Sequence, residues 1–514
     1  MKRIKILWVD DEIDLLKSHI IFLETKGYDS SPCNNGRDAI DRVREEYFDV
    51  VLLDENMPGL TGIETLAAIK NRRPSLPVIM ITKNEEEQIM DEAIGTKISD
   101  YLIKPINPYQ ILSSLKKILN HKSLIAKKTT QNYREEFSSL SHRLLDLNSP
   151  KDWAQYYKDL VFWELELESL EDQEWHNMFE GQWKEANIQF SKYIELHYQD
   201  WIQKDSGPIL SHNAFQRLVY PHLSASTPTL LIVIDNLRLD QWQTLLPSIE
   251  QIATLLDEKT YYSLLPTTTQ YARNSFFAGL TPLQIQTQFP TWWVTESNEI
   301  GKNLFEEELL KANCIRLGYR RPISYHKVIQ SSQGHHLVNT IQNHTHEGLT
   351  AVVYNFVDMI SHAKTDMNVI KELTSDNKAY RSLTHSWFKN SSLIELIKKA
   401  LSLEYKVILT TDHGTINVDL PSSIIGDKET NLNLRYKTGK SLTYNKKDVY
   451  TCQDPKKLEL PTYHINSPFI FAKANRYFVY KNNYNHFVQH FKNTYQHGGI
   501  SMEEMILPFV VLRK

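Results

Sequence analysis

IKILWVDDE, residues 4–12, is a short apolar run that ends in three acids. Runs of this kind, rich in β-branched and large apolar side chains, are typical of buried strands. Three further runs repeat the pattern: DVVLL at 49–53, PVIMIT at 77–82 and DYLIK at 100–104. Amphipathic stretches separate them, as expected for a parallel sheet covered by helices. Residues 1–120 are therefore predicted to form a doubly wound, flavodoxin-like α/β domain.

Polar residues stand where each of these strands would end. They are, in chain order, Asp10 and Asp11, Asp54, Thr82, and Lys104. Clustered carboxylates repel one another unless a hard divalent cation such as Mg²⁺ neutralises them, and phosphoryl transfer to a carboxylate needs such a cation. A single acid at a strand end usually only caps a helix. Five such positions in this order favour a phosphoryl-transfer site.

The motifs VDDE, LLDENMPG, the threonine after VIMI and the KP pair resemble those of bacterial response regulator receiver domains. The resemblance implies that Asp54 is phosphorylated by a sensor histidine kinase, and that Asp10, Asp11 and Asp54 bind Mg²⁺. The residues that respond to phosphorylation would be Thr82, Tyr101 and Lys104. A phosphoryl group adds roughly −1.5 to −2 charge, which can favour a partner surface or a homodimer.

The remainder of the chain divides into two parts by composition. Residues 121–215 have almost no Gly or Pro, and aromatic residues and Leu recur among charged residues at helical spacing, which predicts a helical bundle linker. Residues 216–514 are predicted to form a second α/β domain. Its strand-like runs end in polar residues and are TLLIVID (229–235), AVVYNFVD (351–358), KVILTTDHG (406–414) and MILPFVVLRK (505–514).

Six residues of this second domain are candidate metal ligands. They are Asp235, Asp358, His362, Asp412, His413 and His497. Carboxylates with imidazoles suit zinc, and six such ligands are enough for two adjacent ions with open positions. A lone histidine is more often an ordinary polar residue than a ligand, so four others stay unassigned: His326, His335, His336 and His385.

A hydroxyl nucleophile would complete such a centre, because a metal ion can lower the pKa of a bound hydroxyl. The segment LLPTTTQYARNSFFAGL, 264–280, offers Thr267, Thr268 and Thr269 between a strand and a probable helix. A threonine turn alone is usually an N-cap. Its occurrence together with the six candidate ligands favours a nucleophile.

The order Asp, Thr, DxxxH, DHG, HGG resembles the alkaline phosphatase superfamily and specifically its PglZ branch, through TDHG and HGGISMEEMILP. The resemblance implies one zinc site of Asp358, His362 and His497 and a second of Asp235, Asp412 and His413. It implies Thr269 as the nucleophile, with Thr268 as the alternative, and Arg273 and Asn274 as phosphate contacts.

The whole chain resembles the PorX-type response regulators of Bacteroidota, which are tied to type IX protein secretion. That resemblance implies an extracytoplasmic-function sigma factor and secretion-motor components as partners. A threonine nucleophile resembles the nucleotide pyrophosphatase and phosphodiesterase branch, so a phosphodiesterase acting on nucleotides or short oligonucleotides is predicted. Five aromatic residues could stack on bases, although core packing is the favoured interpretation: Tyr261, Tyr262, Tyr271, Trp292 and Trp293.

Composition limits the other possibilities. The net charge is −4, and we find neither a helix-turn-helix signature nor a basic recognition helix, so direct DNA binding is not expected. Three scattered cysteines and the lack of an apolar run of about 18 residues predict a cytoplasmic protein without membrane insertion. The rival function is a catalytically idle zinc-binding scaffold that recruits the sigma factor and secretion components when phosphorylated.

Overall fold

The fold was analysed in a computed structural model. It describes residues 4–73, 76–83, 98–168, 173–204, 206–224, 226–294, 303–374, 376–427, 430–462 and 467–514. These residues form two compact units, Met1–Asn132 and Tyr133–Lys514. Each unit is considered by itself.

The N-terminal unit contains a parallel five-stranded sheet in the order β2-β1-β3-β4-β5. The strands are β1 (Ile4–Val9), β2 (Tyr28–Cys33), β3 (Val50–Asp54), β4 (Val78–Thr82) and β5 (Asp100–Ile103). The helices described here are α1 (Lys17–Thr25), α2 (Gly36–Glu45), α3 (Gly62–Arg72) and α4 (Pro108–Asp146). Alternate strand residues enter two apolar cores, one on each face of the sheet. This strand order is the flavodoxin-like one, and the fold prediction is confirmed.

Two long helices follow, α5 (Pro150–Leu167) and α6 (Gln173–Lys204). Helix α5 begins where the sequence supplies a start signal: Ser149 caps the backbone N–H of Asp152, and Pro150 occupies the first turn. Aromatic side chains fill the space between the two helices, as in the edge contact of Trp153 with Phe190 at 5.2 Å. The predicted helical linker is confirmed as helical.

The C-terminal domain is built on a six-stranded sheet in the order β7-β19-β10-β6-β9-β8. Its strands are β6 (Thr229–Ile234), β7 (Thr254–Tyr262), β8 (Ile323–Val328), β9 (Leu349–Tyr354), β10 (Lys406–Thr410) and β19 (Ile506–Arg513). Strands β10, β6, β9 and β8 are parallel, whereas β19 runs antiparallel to both β10 and β7. The apolar runs recognised in the sequence are the central strands, which are almost entirely buried.

Helices and smaller sheets surround this sheet. The helices are α7 (Ser211–Ala214), α8 (Leu239–Glu250), α9 (Thr269–Ala278), α10 (Pro282–Gln288), α11 (Glu306–Arg316), α12 (Ser331–Thr340), α13 (Phe356–Asp366), α14 (Asn368–Leu373), α15 (Asn377–Lys389), α16 (Ser392–Ser402), α17 (Tyr484–Phe491) and α18 (Met502–Met505). The remaining strands are β11 (Ile416–Val418), β12 (Leu420–Ile425), β13 (Tyr436–Thr438), β14 (Thr443–Tyr444), β15 (Val449–Cys452), β16 (Phe469–Ala472), β17 (Arg476–Tyr480) and β18 (Thr494–Gln496).

One edge of the six-stranded sheet collects the chemistry-bearing segments. Strands β6, β9 and β10 end there, and β7 ends there too because it runs in the same direction. Strand β19 begins at this edge, with Ile506 opposite Tyr262. The turn after β7 and the loop before β19 therefore meet the exits of the parallel strands, which is where open α/β sheets place their functional groups.

The structure differs from the sequence prediction at NFVD. Strand β9 ends at Tyr354, and Asp358 lies in the first turn of α13 rather than at the end of a strand. Helical geometry keeps Asp358 and His362 on one face, as the spacing predicts. Among the described residues, no helix is long and apolar enough to cross a membrane.

Gly181, inside α6, offers a test of the helical linker. A Cβ added there would meet no atom within 4 Å. Because glycine in a helix interior is less favourable than alanine, Gly181→Ala should raise the free energy of unfolding by about 0.5–1 kcal/mol. Urea unfolding monitored by circular dichroism measures this change.

Gly318 serves as the control. A Cβ added there would also meet open space, but the φ of Gly318 is +76°, in the left-handed region. Gly318→Ala should lower stability by about 1 kcal/mol, because an L side chain disfavours the left-handed region. Stabilisation by both substitutions, or by neither, would contradict the backbone conformations described here.

Candidate functional site

The N-terminal unit brings three predicted acids together. Asp10, Asp11 and Asp54 each offer a carboxylate oxygen, and these oxygens lie within 4.8 Å of one another. Asp10 and Asp54 are buried, whereas Asp11 is exposed. This is an oxygen-only ligand set with one side open, which suits Mg²⁺.

Lys104 compensates part of this negative charge. Its Nζ lies 2.9 Å from Oδ2 of Asp10 and 2.8 Å from Oδ1 of Asp54. Burial raises the pKa of Asp54, and the hydrogen bond from Lys104 opposes that rise. Burial alone would lower the pKa of Lys104, but its bonds to Asp54 and Asp10 outweigh that effect and raise it. The lysine therefore stays charged against the acids.

The remaining receiver residues lie at neighbouring strand ends. The Thr82 hydroxyl donates to the buried carboxylate of Glu55, a contact that the sequence analysis missed. Glu55 directly follows Asp54, so its position beside the predicted phosphorylation site was the available signal. Tyr101 is half-buried and packs against one of the two receiver cores.

The C-terminal domain brings the six candidate ligands together as two groups. The first consists of Asp235, Asp412 and His413, all buried, with ligand atoms within 4.8 Å of one another. Nε2 of His413 lies 3.6 Å from Oδ1 of Asp235 and 3.7 Å from Oδ2 of Asp412. Two strand exits form this group: Asp235 follows β6, and the other two follow β10.

The second group consists of Asp358, His362 and His497, again with ligand atoms within 4.8 Å. Nε2 of His362 lies 3.5 Å from Oδ2 of Asp358, and Nε2 of His497 lies 3.8 Å from Oδ1 of the same carboxylate. The two groups are adjacent, because the rings of His413 and His497 stack with their centroids 4.4 Å apart.

Backbone carbonyls set the orientation of two of these imidazoles. Nδ1 of His413 lies 3.1 Å from the carbonyl oxygen of Gly414, and Nδ1 of His497 lies 3.3 Å from that of Thr267. A carbonyl only accepts, so each Nδ1 carries a proton and each Nε2 faces the acids. Metal-binding histidines are commonly held in this way.

Thr269 is the threonine that reaches the first group. Its Oγ1 lies 3.1 Å from Nε2 of His413 and 3.4 Å from Oδ1 of Asp235. Thr268 is the N-cap of α9, and its buried Oγ1 has no hydrogen-bond partner among the described residues. Thr267 instead holds the loop before β19, donating to the carbonyl of Gly499 at 3.0 Å. Geometry therefore separates the three threonines.

Arg273 provides the positive charge next to the first group. Its Nη1 lies 2.6 Å from Oδ2 of Asp235 and 3.5 Å from Oδ2 of Asp412, and its Nε lies 2.5 Å from Oε1 of Glu306. The predicted phosphate contact is thus engaged with carboxylates. Asn274, the other predicted contact, is buried on the same helix. Glu306 was not predicted, and only its place in the acidic run EEE hinted at a role.

The carboxylates of the two groups respond differently to this charge. Burial would raise the pKa of Asp235, but Arg273 and then His413 outweigh burial and lower it. Burial, reinforced by the negative charge of Asp235, raises the pKa of Asp412 to about 6. The same two causes raise the pKa of Asp358. One guanidinium is therefore too little positive charge for three neighbouring carboxylates.

The residues present fit a pair of divalent cations. Each group has carboxylate and imidazole donors whose ligand atoms lie within 4.8 Å of one another, which suits a divalent cation. Oδ2 of Asp412 is buried and accepts no hydrogen bond among the described residues. Buried polar atoms of this kind need an explanation, and a cation ligand is one.

The base-stacking interpretation of the aromatic residues is wrong for four of the five. Tyr261, Tyr262, Tyr271 and Trp293 are buried in the core. The Tyr261 hydroxyl donates to the carbonyl of Thr411, and the Tyr262 hydroxyl donates to that of Pro150 at 2.6 Å. Their rings pack against protein atoms on all sides, as the favoured core interpretation held. Trp292 is half-buried.

Comparison with known families agrees with this architecture. The family model described as BREX system PglZ alkaline phosphatase-like domain matches residues 214–512. The response regulator receiver domain model matches residues 6–116. The PorX response regulator linker domain model matches residues 123–202.

Individual relatives match smaller parts of the chain. Transcriptional regulatory protein ZraR of Escherichia coli O157:H7 is 38% identical over 126 residues, which are 24% of this chain and 29% of that protein. The CpxR homolog of Haemophilus influenzae is 38% identical over 117 residues, 22% of this chain and 50% of that protein. The chain thus spans half or less of these relatives. A solved CheY-like receiver domain from Methanospirillum hungatei JF-1 is 27% identical, covers 23% of this chain and 96% of its own, and has a TM-score of 0.23.

A receiver domain, a helical linker and a phosphatase-like domain together define a two-component response regulator with a hydrolase-like effector. The chain belongs to the PglZ alkaline phosphatase-like family, whose model covers more than half of it, and its three domains are those of a PorX-type regulator.

Arg273 gives the first test of the site's electrostatics. Arg273→Met should lower the free energy of unfolding by about 3–5 kcal/mol in the presence of a chelator, because it leaves buried carboxylates without their cation. The matched control is Arg320→Met on the surface, which should change stability by less than about 0.5 kcal/mol. Equal effects of both variants in chemical unfolding would contradict the role given to Arg273.

Proposed function

We propose that the C-terminal domain is a zinc-dependent phosphodiesterase with Thr269 as its nucleophile. The observation that carries the proposal is the position of Thr269 Oγ1, 3.1 Å from His413 and 3.4 Å from Asp235, at the edge of a complete ligand group. We propose that Asp235, Asp412 and His413 hold one zinc ion and that Asp358, His362 and His497 hold the other.

Two bound zinc ions would supply Lewis acidity to the attacking and leaving oxygens of an in-line displacement. The chain's own residues prepare that displacement. The Thr269 hydroxyl donates to Oδ1 of Asp235 and lies beside Nε2 of His413, and these two contacts would orient its oxygen for attack on a substrate phosphorus. His413 and Asp235 hold this hydroxyl in place, because both contacts end on the same atom. Arg273 adds a fixed positive charge within the same buried site, where negative charge would develop.

The substrate class follows from the nucleophile and from charge rather than from stacking. A threonine nucleophile resembles the nucleotide pyrophosphatase and phosphodiesterase branch, so a nucleotide or short oligonucleotide is the proposed substrate. Because most of the aromatic residues lie in the core, substrate selectivity would come from the contacts of the phosphodiester group with Arg273 and with the bound zinc ions. Arg273 and Asn274 on helix α9 are the proposed phosphate contacts.

Regulation is assigned to the receiver. We propose phosphorylation of Asp54 with Mg²⁺ bound by Asp10, Asp11 and Asp54, and a response through Thr82, Tyr101 and Lys104 that favours a homodimer. The Lys104 contacts with Asp10 and Asp54 support this proposal. By resemblance alone we propose control of type IX protein secretion in the cytoplasm of a member of Bacteroidota, with a sigma factor and secretion-motor components as partners.

Thr269 is the decisive variant for catalysis. Thr269→Ala should lower kcat on bis(p-nitrophenyl) phosphate and on short oligonucleotides by at least about 10⁴-fold, because loss of a nucleophile removes the covalent route. Thr268→Ala is the matched control and should retain kcat within about threefold, since the Thr268 hydroxyl forms no hydrogen bond with a candidate ligand among the described residues. Hydrolysis assays with initial-rate fits give both values.

Metal content, measured together with turnover, distinguishes the proposed phosphodiesterase from an idle zinc-binding scaffold. Elemental analysis should find two zinc ions per effector domain in the wild type and in Thr269→Ala, and a chelator should abolish turnover. Two bound ions without hydrolysis of any phosphodiester would favour the idle scaffold. Absence of bound metal, or full activity of Thr269→Ala, would reject the proposed mechanism.

Phosphorylation is tested by oligomeric state. Beryllofluoride with Mg²⁺ mimics the phosphoryl group on Asp54, and light scattering should then report a mass shift from monomer toward dimer. Asp54→Asn is the control. Its side-chain amide cannot bind beryllofluoride, so this variant should stay monomeric. An unchanged mass of the wild type across a wide concentration range would reject phosphorylation-driven dimerisation.

A further inference from the structure

The segment Ile500–Glu504, called here the 500–504 segment, contacts the loops of His413 and His497 and the turn that carries Thr269. It follows the His497 loop directly and leads into β19. The backbone N–H of Gly414, next to His413, donates to the carbonyl of Glu504 at 3.2 Å. A Cβ at Gly414 would lie 2.0 Å from the carbonyl oxygen of Glu503, so only glycine permits this close approach.

Glu504 ties two further loops to this segment. Its Oε1 accepts from the backbone N–H of Gly499 at 2.9 Å and lies 3.4 Å from Oγ1 of Thr267. Its other oxygen lies 2.6 Å from Nη2 of Arg435, and both side chains are fully buried. Thr267 is two residues before Thr269, and Gly499 is two after His497. The position of the 500–504 segment therefore sets the positions of the nucleophile turn and of a metal ligand.

The helical linker holds this segment from the opposite side. Nδ2 of Asn187, in α6, donates to both carboxylate oxygens of Glu503 at 3.2 and 3.0 Å. Oδ1 of Asn187 accepts from the backbone N–H of Met502 at 2.9 Å. Nε1 of Trp183, one turn earlier in α6, donates to Oε1 of Glu503 at 2.5 Å. The linker helix thus supplies three side-chain hydrogen bonds to the carboxylate of Glu503.

We propose that Asn187 and Glu503 are positioning residues of the phosphodiesterase, through which linker helix α6 keeps the catalytic loops in their reactive arrangement. The inference rests on the proposed function and adds a regulatory element to it. Displacement of α6 would move the 500–504 segment, and with it the loops of Thr269, His413 and His497.

The chemistry of the contact supports a positioning role over simple packing. Burying a carboxylate is costly unless its hydrogen bonds are satisfied, whereas apolar side chains would pack two elements together without that cost. Glu503 is 5% exposed and Asn187 is 2% exposed. Directional hydrogen bonds from two linker side chains prevent the segment from sliding along the helix as well as from separating from it. Apolar contacts oppose separation but permit sliding.

An exchange of the two side chains tests the inference. Asn187→Asp places a second carboxylate against Glu503, and Glu503→Gln places an amide N–H against that of Asn187, so each single variant loses complementarity. In the double variant the new glutamine can donate to the new aspartate, which still accepts from the backbone N–H of Met502. Gln189→Ala on the same helix is the control, because among the described residues the Gln189 side chain bonds Glu185 and Lys192 and not the 500–504 segment.

Two readouts are measured for each variant in the full chain: steady-state hydrolysis of bis(p-nitrophenyl) phosphate and amide hydrogen exchange of peptides covering residues 497–504. Each single variant should lower kcat by about 10- to 100-fold with KM nearly unchanged, since misplacement of reacting groups lowers kcat. Exchange in 497–504 should accelerate by about tenfold as the segment loosens. The double variant should restore both values to within about threefold of wild type.

Unchanged kcat in the single variants, or a double variant no better than the singles, would overturn the inference. A lower melting temperature with normal kcat would assign the pair to stability alone. If the wild type hydrolyses no phosphodiester, the proposed function fails. The exchange pattern then decides the inference by itself: rescue by the double variant retains the positioning role, and no rescue rejects it.

Discussion

Mutual repulsion among buried carboxylates is the constraint on which both sites depend. In the C-terminal domain the buried Asp235 and Asp412 and the half-buried Asp358 lie at one edge of a sheet, where water screens their charges only partly. Arg273 lies against Asp235, whereas burial and then the negative charge of Asp235 raise the pKa values of Asp412 and Asp358. The receiver faces the same problem with Asp10, Asp11 and Asp54, where Lys104 provides the compensating charge. Each cluster therefore favours divalent cations. Lys104 and Arg273 reduce the repulsion between the carboxylates when no such ion is bound.

Sheet topology explains how residues so distant in sequence converge. Parallel strands place their carboxyl ends at one edge, so Asp235 and His413 meet after β6 and β10. Strand β19 is antiparallel to its neighbours, so it begins at the edge where they end. The His497 loop, which precedes β19, therefore lies at the same edge. Strand β7 then delivers the Thr269 turn beside it. The parallel strands β6, β9 and β10 alone would bring three segments to the site. The reversed strand β19 adds the His497 loop, and β7, paired to it, adds the Thr269 turn.

Sequence reasoning reached those parts of the molecule that local patterns encode. Apolar runs ending in acids predicted both sheets, and residue type predicted the six candidate ligands, with Asp358 and His362 spaced for one helical face. Their division into two groups was implied only by the resemblance to the alkaline phosphatase superfamily. The supporting contacts were beyond its reach. Glu306 and Arg273, or Asn187 and Glu503, are far apart in the chain and have no motif, so only the folded structure pairs them. Aromatic residues were ambiguous for a related reason, because Tyr261 in a core and a tyrosine on a nucleotide-binding face have the same local sequence.

Buried polar contacts, rather than apolar ones, hold the catalytic loops. Glu504 with Arg435 fixes the loops before and after it, and Glu503 with Asn187 ties the same segment to the linker. Such pairs are weak devices for stability, since well-packed apolar side chains often do as well, but they select one arrangement over close alternatives. A site whose oxygen and nitrogen atoms must lie a few ångströms apart gains from that selectivity. On the proposed function, the linker helix contributes to the geometry of the proposed active site, and a change in the helix would have a direct structural route to the ligand groups and Thr269.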